Sequence, residues 1–434
     1  MRVQFKTLGC RLNEAEIETW AKQFQSKGHR IIGNDQEPTD LLVINSCAVT
    51  RDAVKKSRHL IRQATRQNPD AKIVVTGCYA TLDAKEAGQL GIDLVVTNQE
   101  KQNLPQIALE RLHLNEPVHH DGAPTESALF NMGRHRAFVK VQDGCRHHCT
   151  YCIVKIARGE ERSRTIQEIV QEIQDHHRSG LQEVVLTGVH LGGYGSDLGV
   201  NLTQLIRDIL DQTKIPRIRL GSLEPWDIPQ EFIDLFENPR LLPHLHLPVQ
   251  SGSNSVLKRM ARRCRTEEFQ DLVFQLRDRI PEINITTDLI VGFPGESDIE
   301  WNETLNFVNT IQFGDIHIFS FSPREGTAAA LMGNPVHPTV KKSRHQALHF
   351  LAARHRLEFL KSHRGKSARV LWEGVRSLDE GNTIIFGYTE NFIKVRLPNP
   401  PQTLSYQVTE VTLGEPDELT YSLNIMRGGQ AQNG

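Results

Sequence analysis

No stretch of this 434-residue chain approaches the roughly 18 consecutive apolar residues of a membrane-spanning helix. The opening MRVQFKTLGC lacks the apolar core of a secretory signal. Neither a membrane protein nor an exported one is expected; the expected compartment is the cytoplasm. No sign of charge dominates either, because 51 Lys and Arg stand against 52 Asp and Glu. Bulk electrostatics therefore do not announce a nucleic-acid binder, and such a role has to rest on local patches. No internal repeat is visible. Cysteine is scarce, with seven residues. In a reducing compartment these point to metal or redox chemistry rather than to disulfides.

The length predicts two or three domains, and the texture of the sequence changes twice. Over the first part, VQFKTLG (3–9), DLLVINS (40–46), KIVVTG (72–77) and DLVVT (93–97) read as strands. The intervening Glu14–Gln25 and Arg51–Arg66 have helical patterns. Alternation of this kind predicts a parallel sheet with crossovers, an N-terminal α/β domain over 1–115. A polar, turn-rich linker follows at 116–134. Six more strand-like runs then alternate with helices: RAFVKVQ (136–142), EVVLTGV (183–189), RIRLGSL (217–223), HLHLPVQ (244–250), INITTDLIVGF (283–293) and DIHIFSFS (315–322). They predict a partial (β/α)6 barrel over 135–363. From 364 to 427 short β-like runs separated by Gly, Asn, Pro and Asp predict a small all-β barrel of about five strands, OB-like in size. The final RGGQAQNG reads as disordered.

Three cysteines each sit just past a predicted strand: Cys10 after VQFKTLG, Cys47 after DLLVINS, Cys78 after KIVVTG. In a parallel sheet those carboxyl ends share one edge, where ligands bind. The neighbouring Gly9, Ser46 and Gly77 leave room for a bulky inorganic core. A single such cysteine reads as an ordinary small core residue; three at one topological point favour a metal site. Three others form the C-x3-C-x2-C of GCRHHCTYC: Cys145, Cys149 and Cys152. One reading is a zinc knuckle with His147 or His148 as fourth ligand, but knuckles are small autonomous units. This triplet instead opens a full-sized domain, at the end of its first strand. The other reading is an iron–sulfur cube with three irons held by thiolates and the fourth open to a small molecule. S-adenosylmethionine chelates such an iron through its amino and carboxylate groups. One electron then cleaves the sulfonium bond to a 5′-deoxyadenosyl radical, which abstracts hydrogen from an unactivated C–H bond. Cys264, in KRMARRCRTEE, has no partner at cluster spacing and stays outside both sites.

At these residues the sequence resembles a known family. TLGCRLN, INSCAVT, VTGCYA, CTYCIV, ARGEERSR, HLHLPVQSGSNSVLKRM, TDLIVGFPGES and FSPREGT are similar, in this order and over nearly the whole chain, to the radical SAM methylthiotransferases. The resemblance implies that Cys145, Cys149 and Cys152 bind the 4Fe–4S cluster that cleaves S-adenosylmethionine. Cys10, Cys47 and Cys78 would bind an auxiliary 4Fe–4S cluster carrying the sulfur to be inserted. Two S-adenosylmethionine molecules are used per product, and the C-terminal barrel corresponds to a TRAM domain. The family modifies tRNA adenosines beside the anticodon or an aspartate of a ribosomal protein. HLPVQSGS, TLGC and LTGVHLGGYG look most like the branch adding a methylthio group to C2 of N6-threonylcarbamoyladenosine at position 37 of tRNA. Methylthiolation of N6-isopentenyladenosine in tRNA or of a ribosomal-protein aspartate is the alternative, and a non-catalytic zinc-bearing RNA-binding protein is the reading outside the family. A reductant protein and a sulfur donor are required, and the sequence identifies neither. One departure is Lys155, where members often carry proline.

Candidate S-adenosylmethionine contacts are polar or small residues at barrel strand ends. They are Thr187 and Gly188 after the second strand, Glu224 after the third, Gln250 and Ser251 after the fourth, and Gly292 with Pro294 after the fifth. Read plainly, GFPGES is a loop and helix cap. For RNA, two basic stretches are candidates. Residues 341–376 hold Lys341, Lys342, Arg344, Arg354, Arg356, Lys361, Arg364, Lys366, Arg369 and Arg376 against Glu358 and Glu373. Arg51, Lys55, Arg58, Arg62 and Arg66 would stripe one helix opposite Val54, Ile61 and Ala64. A charged helical face is more often merely solvated.

Overall fold

The computed structural model describes residues 1–33, 37–114, 136–378 and 382–426. The expected linker and the final RGGQAQNG lie outside the described residues. The chain divides into two units. The first comprises Met1–Arg164, Thr187–His190 and Ser322–Ala330. The second comprises Thr165–Leu186, Leu191–Phe321 and Leu331–Gly434.

In the first unit, β1 (Arg2–Thr7), β2 (Arg30–Ile32), β3 (Leu41–Ser46), β4 (Lys72–Thr76) and β5 (Leu94–Val95) form a parallel sheet in the order β2-β1-β3-β4-β5. β2 is an addition to the expected strands, too short to carry a periodic signal. β3 is buried along its whole length, which explains its unbroken apolar LLVI. The helix Arg11–Ser26 buries Leu12, Ala15, Ile17, Trp20, Ala21 and Phe24, each worth about 1.5–3 kcal/mol for the larger side chains. The Trp20 indole N–H donates to the Lys101 carbonyl at 2.9 Å. The helix Arg51–Gln67 starts at Thr50, whose hydroxyl accepts from the Ala53 amide at 3.1 Å. Thr7 pairs in register with Asn45, and Asn45 with Thr76. The carboxyl ends of β1, β3 and β4 are therefore level, and Cys10, Cys47 and Cys78 follow them along one edge. The expected strand at 136–142 is split into β6 (Ala137–Lys140) and β7 (Gln142–Asp143); β7 pairs antiparallel with β8 (Arg162–Ser163).

The second unit carries β9 (Glu183–Thr187) parallel to β10 (Arg217–Leu220), and β11 (His244–His246), β12 (Asn284–Val291) and β13 (Asp315–Ser320) in a parallel sheet. Isolated bridges Ile218–Leu241 and Ser222–His246 join the two groups. The expected fourth barrel strand is shorter than HLHLPVQ: regular pairing stops at His246 because Pro248 has no N–H to donate. Gln250 then takes φ 75° and bridges back to Leu289 of β12. Helices Ile166–Arg178 and Asp298–Ile311 begin with reciprocal capping boxes, Thr165 with Glu168 and Ser297 with Glu300.

The C-terminal part of this unit is a β-barrel-like sheet of β14 (Ser367–Trp372), β15 (Arg376–Ser377), β16 (Thr383–Tyr388), β17 (Lys394–Pro398), β18 (Val408–Asp417) and β19 (Ser422–Ile425). Five strands close a ring, β14-β18-β19-β17-β16 and back to β14, with β15 attached to β16. Val370, Trp372, Ile385, Val395, Leu413 and Leu423 fill it.

Candidate functional site

Both cysteine trios lie in the first unit. Cys10 is the N-cap residue of the helix Arg11–Ser26, Cys47 follows β3 directly, and Cys78 stands in the first turn of the helix Gly77–Leu82. Burial pushes the Cys47 thiol up to about 11, and the neighbouring Cys78 and Cys10 add to the rise. Desolvation around its sulfur likewise raises Cys10, with a further push from Cys78, although the residue as a whole is exposed. Gly9 and Gly77 keep the cradle open. A Cβ on Gly9, which has φ +129°, would stand 3.0 Å from Cys47 Cβ and 3.3 Å from its sulfur. One on Gly77, at φ +92°, would strike the Ser46 carbonyl at 2.3 Å.

The triplet is held by its own backbone. The Cys145 amide donates to the Gly159 carbonyl at 3.1 Å, and the Cys152 amide to the Cys149 carbonyl at 3.0 Å. The His147 amide donates to the Cys145 sulfur at 3.4 Å. Burial, with Cys149 and Cys145 beside it, pushes the Cys152 thiol up to about 12. Gly144 has to be glycine: at φ +76° a Cβ would meet the Glu160 carbonyl oxygen at 1.8 Å.

Neither donor set has the dimensions of a single tetrahedral ion, whose thiolates would lie about 3.8 Å apart for a metal–sulfur bond near 2.3 Å. Among the described residues, the groups whose ligand atoms close to within 4.8 Å include Cys145 with Glu161 and His190, and none contains two cysteines. The histidines of the knuckle reading are engaged otherwise. His147 Nε2 lies 3.1 Å from His190 Nε2, and His148 Nε2 lies 2.9 Å from Lys155 Nζ. Three thiols brought together and more widely spaced than one ion allows, twice over, fit iron–sulfur clusters of the larger cubane size. Such a cluster supplies an electron and an open iron for a small-molecule ligand.

A buried ion network adjoins the first trio and was not legible in the sequence. Arg158 is buried and donates from Nη1 to Glu16 Oε1 at 2.8 Å and to Asp143 Oδ1 at 3.0 Å. From Nη2 it donates to Asn13 Oδ1 at 2.8 Å. Lys101 Nζ reaches Glu16 at 2.5 Å and Asp143 at 3.1 Å, and Lys140 adds a third cation 3.4 Å from Asp143. Burial alone would raise the Glu16 carboxyl, but Arg158, Lys101 and Lys140 outweigh it and hold it well below the usual carboxylate range.

The residues proposed to touch S-adenosylmethionine fall in both units. Thr187 and Gly188 are in the first. A Cβ on Gly188 would approach Gln142 Oε1 to 3.0 Å, an oxygen that accepts the His190 amide at 2.9 Å. In the second unit, Glu224 takes a two-pronged bond from Arg262, at 3.0 and 2.6 Å. Arg262 also donates to the Pro248 carbonyl, so it ties Glu224 to the loop that presents Gln250 and Ser251. The Ser251 hydroxyl accepts from the Ser253 amide at 3.2 Å. The Gly292 amide donates to Glu296 Oε2 at 2.8 Å, and its φ is +75°. Cys264 is buried, donates to the Arg265 carbonyl at 3.2 Å and joins neither trio. Three adjacent strands also bring together His246, Asp288 and His317. Asp288 Oδ1 lies 3.1 Å from both His246 Nε2 and His317 Nδ1.

The 341–376 basic stretch is less available than its composition implied. Arg344 is buried on Glu296 and Asp298. Arg356 pairs with Asp315, Arg364 with Glu415, Lys366 with Glu282, Arg369 with Glu390 and Arg376 with Glu373. Most of these acids lie far away in sequence, which hides the neutralisation from a local count. On the helix Arg51–Gln67, Val54, Ile61 and Ala64 are buried as expected. Arg58 bonds Tyr79 and Glu86, while Arg51, Lys55, Arg62 and Arg66 stay exposed.

Fold and site together define an iron–sulfur enzyme of the radical SAM class. A family model described as Radical SAM superfamily matches residues 139–308, and one described as Uncharacterized protein family UPF0004 matches residues 2–97. The solved structure of TsrM, a radical S-adenosylmethionine methyltransferase from Kitasatospora setae, superposes with a TM-score of 0.57 at 14% identity, over 76% of this chain and 77% of that one. The likeness concerns the fold. "Threonylcarbamoyladenosine tRNA methylthiotransferase MtaB" of Bacillus subtilis (strain 168) is 36% identical over 91% of this chain and 89% of its own. Its counterpart of the same name in Thermotoga maritima is 36% identical over 90% of each. "tRNA-2-methylthio-N(6)-dimethylallyladenosine synthase" of Staphylococcus haemolyticus is 32% identical over 96% of this chain and 83% of its own. The chain belongs to the radical SAM tRNA methylthiotransferase family, whose cofactors are S-adenosylmethionine and 4Fe–4S clusters.

Proposed function

We propose that this protein adds a methylthio group to C2 of N6-threonylcarbamoyladenosine at position 37 of tRNA. The observation that carries the reading is the pair of thiol trios, each at strand carboxyl ends, in a chain whose relatives with that activity in their names reach 36% identity over nine-tenths of its length. In this reading Cys145, Cys149 and Cys152 hold the cluster that binds and cleaves S-adenosylmethionine. Cys10, Cys47 and Cys78 hold the auxiliary cluster. Thr187, Gly188, Glu224, Gln250, Ser251 and Gly292 line the S-adenosylmethionine site. Residues 1–115 form the auxiliary-cluster domain, 135–363 the radical SAM domain and 364–427 a TRAM domain, and the protein works in the cytoplasm on the anticodon region of tRNA. The exposed arginines of the helix Arg51–Gln67 and the small barrel support contact with phosphates.

The test is nucleoside mass spectrometry of tRNA from a strain lacking the protein. Loss of the 2-methylthio group from threonylcarbamoyladenosine alone is expected, restored by the wild-type chain and not by Cys10→Ala, Cys47→Ala or Cys78→Ala. Loss from isopentenyladenosine instead would move the protein to the second branch, which the Staphylococcus relative represents. Intact tRNA in both respects would overturn the reading.

A further inference from the structure

The three residues Ala157, Arg158 and Gly159 link both thiol trios, the first through Asn98 and Asn13 and the second directly. The Ala157 carbonyl accepts at 2.8 Å from Asn98 Nδ2, which also lies 3.9 Å from the Cys78 sulfur. Arg158 bonds Asn13, whose Oδ1 lies 3.6 Å from the Cys10 sulfur, and its charge acts on both Cys78 and Cys10. The Gly159 carbonyl holds the Cys145 amide. Among the described residues, Arg158, Lys101 and Lys140 pair with the two carboxylates Glu16 and Asp143. Basic groups outnumber acidic ones in this network, and Arg158 is the one linked to the Cys10 side.

We propose that Arg158 is a positioning residue for the auxiliary cluster: its guanidinium compensates the negative charge of the cluster held by Cys10, Cys47 and Cys78, while its flanking peptides fix that charge to the loop of the other trio. The inference rests on the assignment of those three cysteines to a cluster. A cluster with three thiolate ligands is anionic, and reduction adds one more negative charge. A buried, fixed cation beside the cluster stabilises the reduced state more than the oxidised one. Substitution of Arg158 therefore lowers the auxiliary cluster's reduction potential and leaves the S-adenosylmethionine-binding cluster's potential nearly unchanged.

The experiment is an EPR-monitored redox titration of the anaerobically reconstituted full-length protein, with added S-adenosylmethionine marking the signal of the cluster that binds it. Arg158→Gln is expected to shift the auxiliary equilibrium at least tenfold toward the oxidised form, 59 mV for a one-electron couple. Arg158→Lys, which keeps the charge, is expected to recover most of it. Asn13→Ala leaves the Arg158 ion pairs in place but removes the amide that joins Arg158 to Cys10, together with its bonds to the Leu8 and Ser46 carbonyls; a smaller shift of the same sign at full iron content is expected, and this variant decides the matter if Arg158→Gln does not fold. Unchanged potentials in Arg158→Gln at full iron content, or in Asn13→Ala, overturn the proposal. So do equal shifts in Arg158→Lys and Arg158→Gln. A wild-type protein that reconstitutes a single cluster would instead remove the assignment on which the inference stands.

Discussion

Glu300 shows how much one side chain carries here. It is the third residue of the helix Asp298–Ile311 and closes its capping box, accepting the Ser297 amide at 2.8 Å. It also takes both prongs of Arg259, at 2.7 and 3.0 Å. Arg259 holds its carboxyl down at about 2, with help from Ser255 and Ser297. A folded-state value below the ordinary one means that the pair stabilises the fold above about pH 4.3, with the contribution lost as the pH falls toward the folded value. Glu300→Gln keeps the cap's acceptor but not the charge. Its stability should fall about 1–2 kcal/mol below wild type at neutral pH, after allowance for solvent screening of a partly open pair. The deficit should close in chemical denaturation at about pH 2–3. At this same scale the placement of Cys10, Cys47 and Cys78 just past β1, β3 and β4 was legible, because periodicity reveals those strand ends, and the triplet of Cys145, Cys149 and Cys152 is close in sequence. Arg158, Asn13, Asn98 and Arg262 were not. Arg158 meets Asn13 across 145 positions, and nothing in RGEERSR indicates that its first arginine is buried while the others are not.

At the scale of elements, β10 is the informative case. RIRL reads as an ordinary alternating strand, yet all four residues are buried. Arg217 and Arg219 both bond Glu183 of the neighbouring β9, at 2.9 and 3.2 Å. Further donors reach carbonyls at the end of β16 and just beyond it: Arg217 those of Tyr388 and Thr389, Arg219 those of Thr389 and Glu390. Phe392 stacks on His244 and on Tyr388, with Arg219 over its ring at 4.6 Å. The buried charges are thus spent on fastening the small barrel to β9 and β10. Arg219→Leu takes one of its two arginines from Glu183 and a donor from the Thr389 and Glu390 carbonyls. A loss of about 3–5 kcal/mol is expected, read as a lowered thermal midpoint of the full-length protein, with limited proteolysis cutting first between Lys361 and Ser367. Most strands were readable in the sequence, while their ends and their order in the sheets were not. β2 is too short to show a period, and HLHLPVQ loses its second half to a proline whose effect depends on which neighbour needs its N–H.

For the whole molecule, balanced charge conceals where RNA could be gripped. The stretch from 341 to 376 looks the stronger patch by composition, but acids from distant elements answer most of it. The helix Arg51–Gln67 keeps Arg62 and Arg66 exposed. If this face meets phosphates, Arg62→Glu with Arg66→Glu should weaken tRNA binding about tenfold or more at low salt and flatten the dependence of log affinity on log salt by roughly two phosphate contacts. Iron content should not change. Equal affinity and slope would discard the helix as a contact surface.

The closed ring of β14, β18, β19, β17 and β16 has a consequence of its own. A sheet with an open border offers unpaired peptide groups, and other chains can zip onto it. Here, apart from the two-residue β15, each strand has a paired neighbour on both sides. Whatever this barrel holds, it holds by the chemistry of its outward side chains, so its preferences can be rewritten by surface substitutions while the framework beneath goes on folding as before.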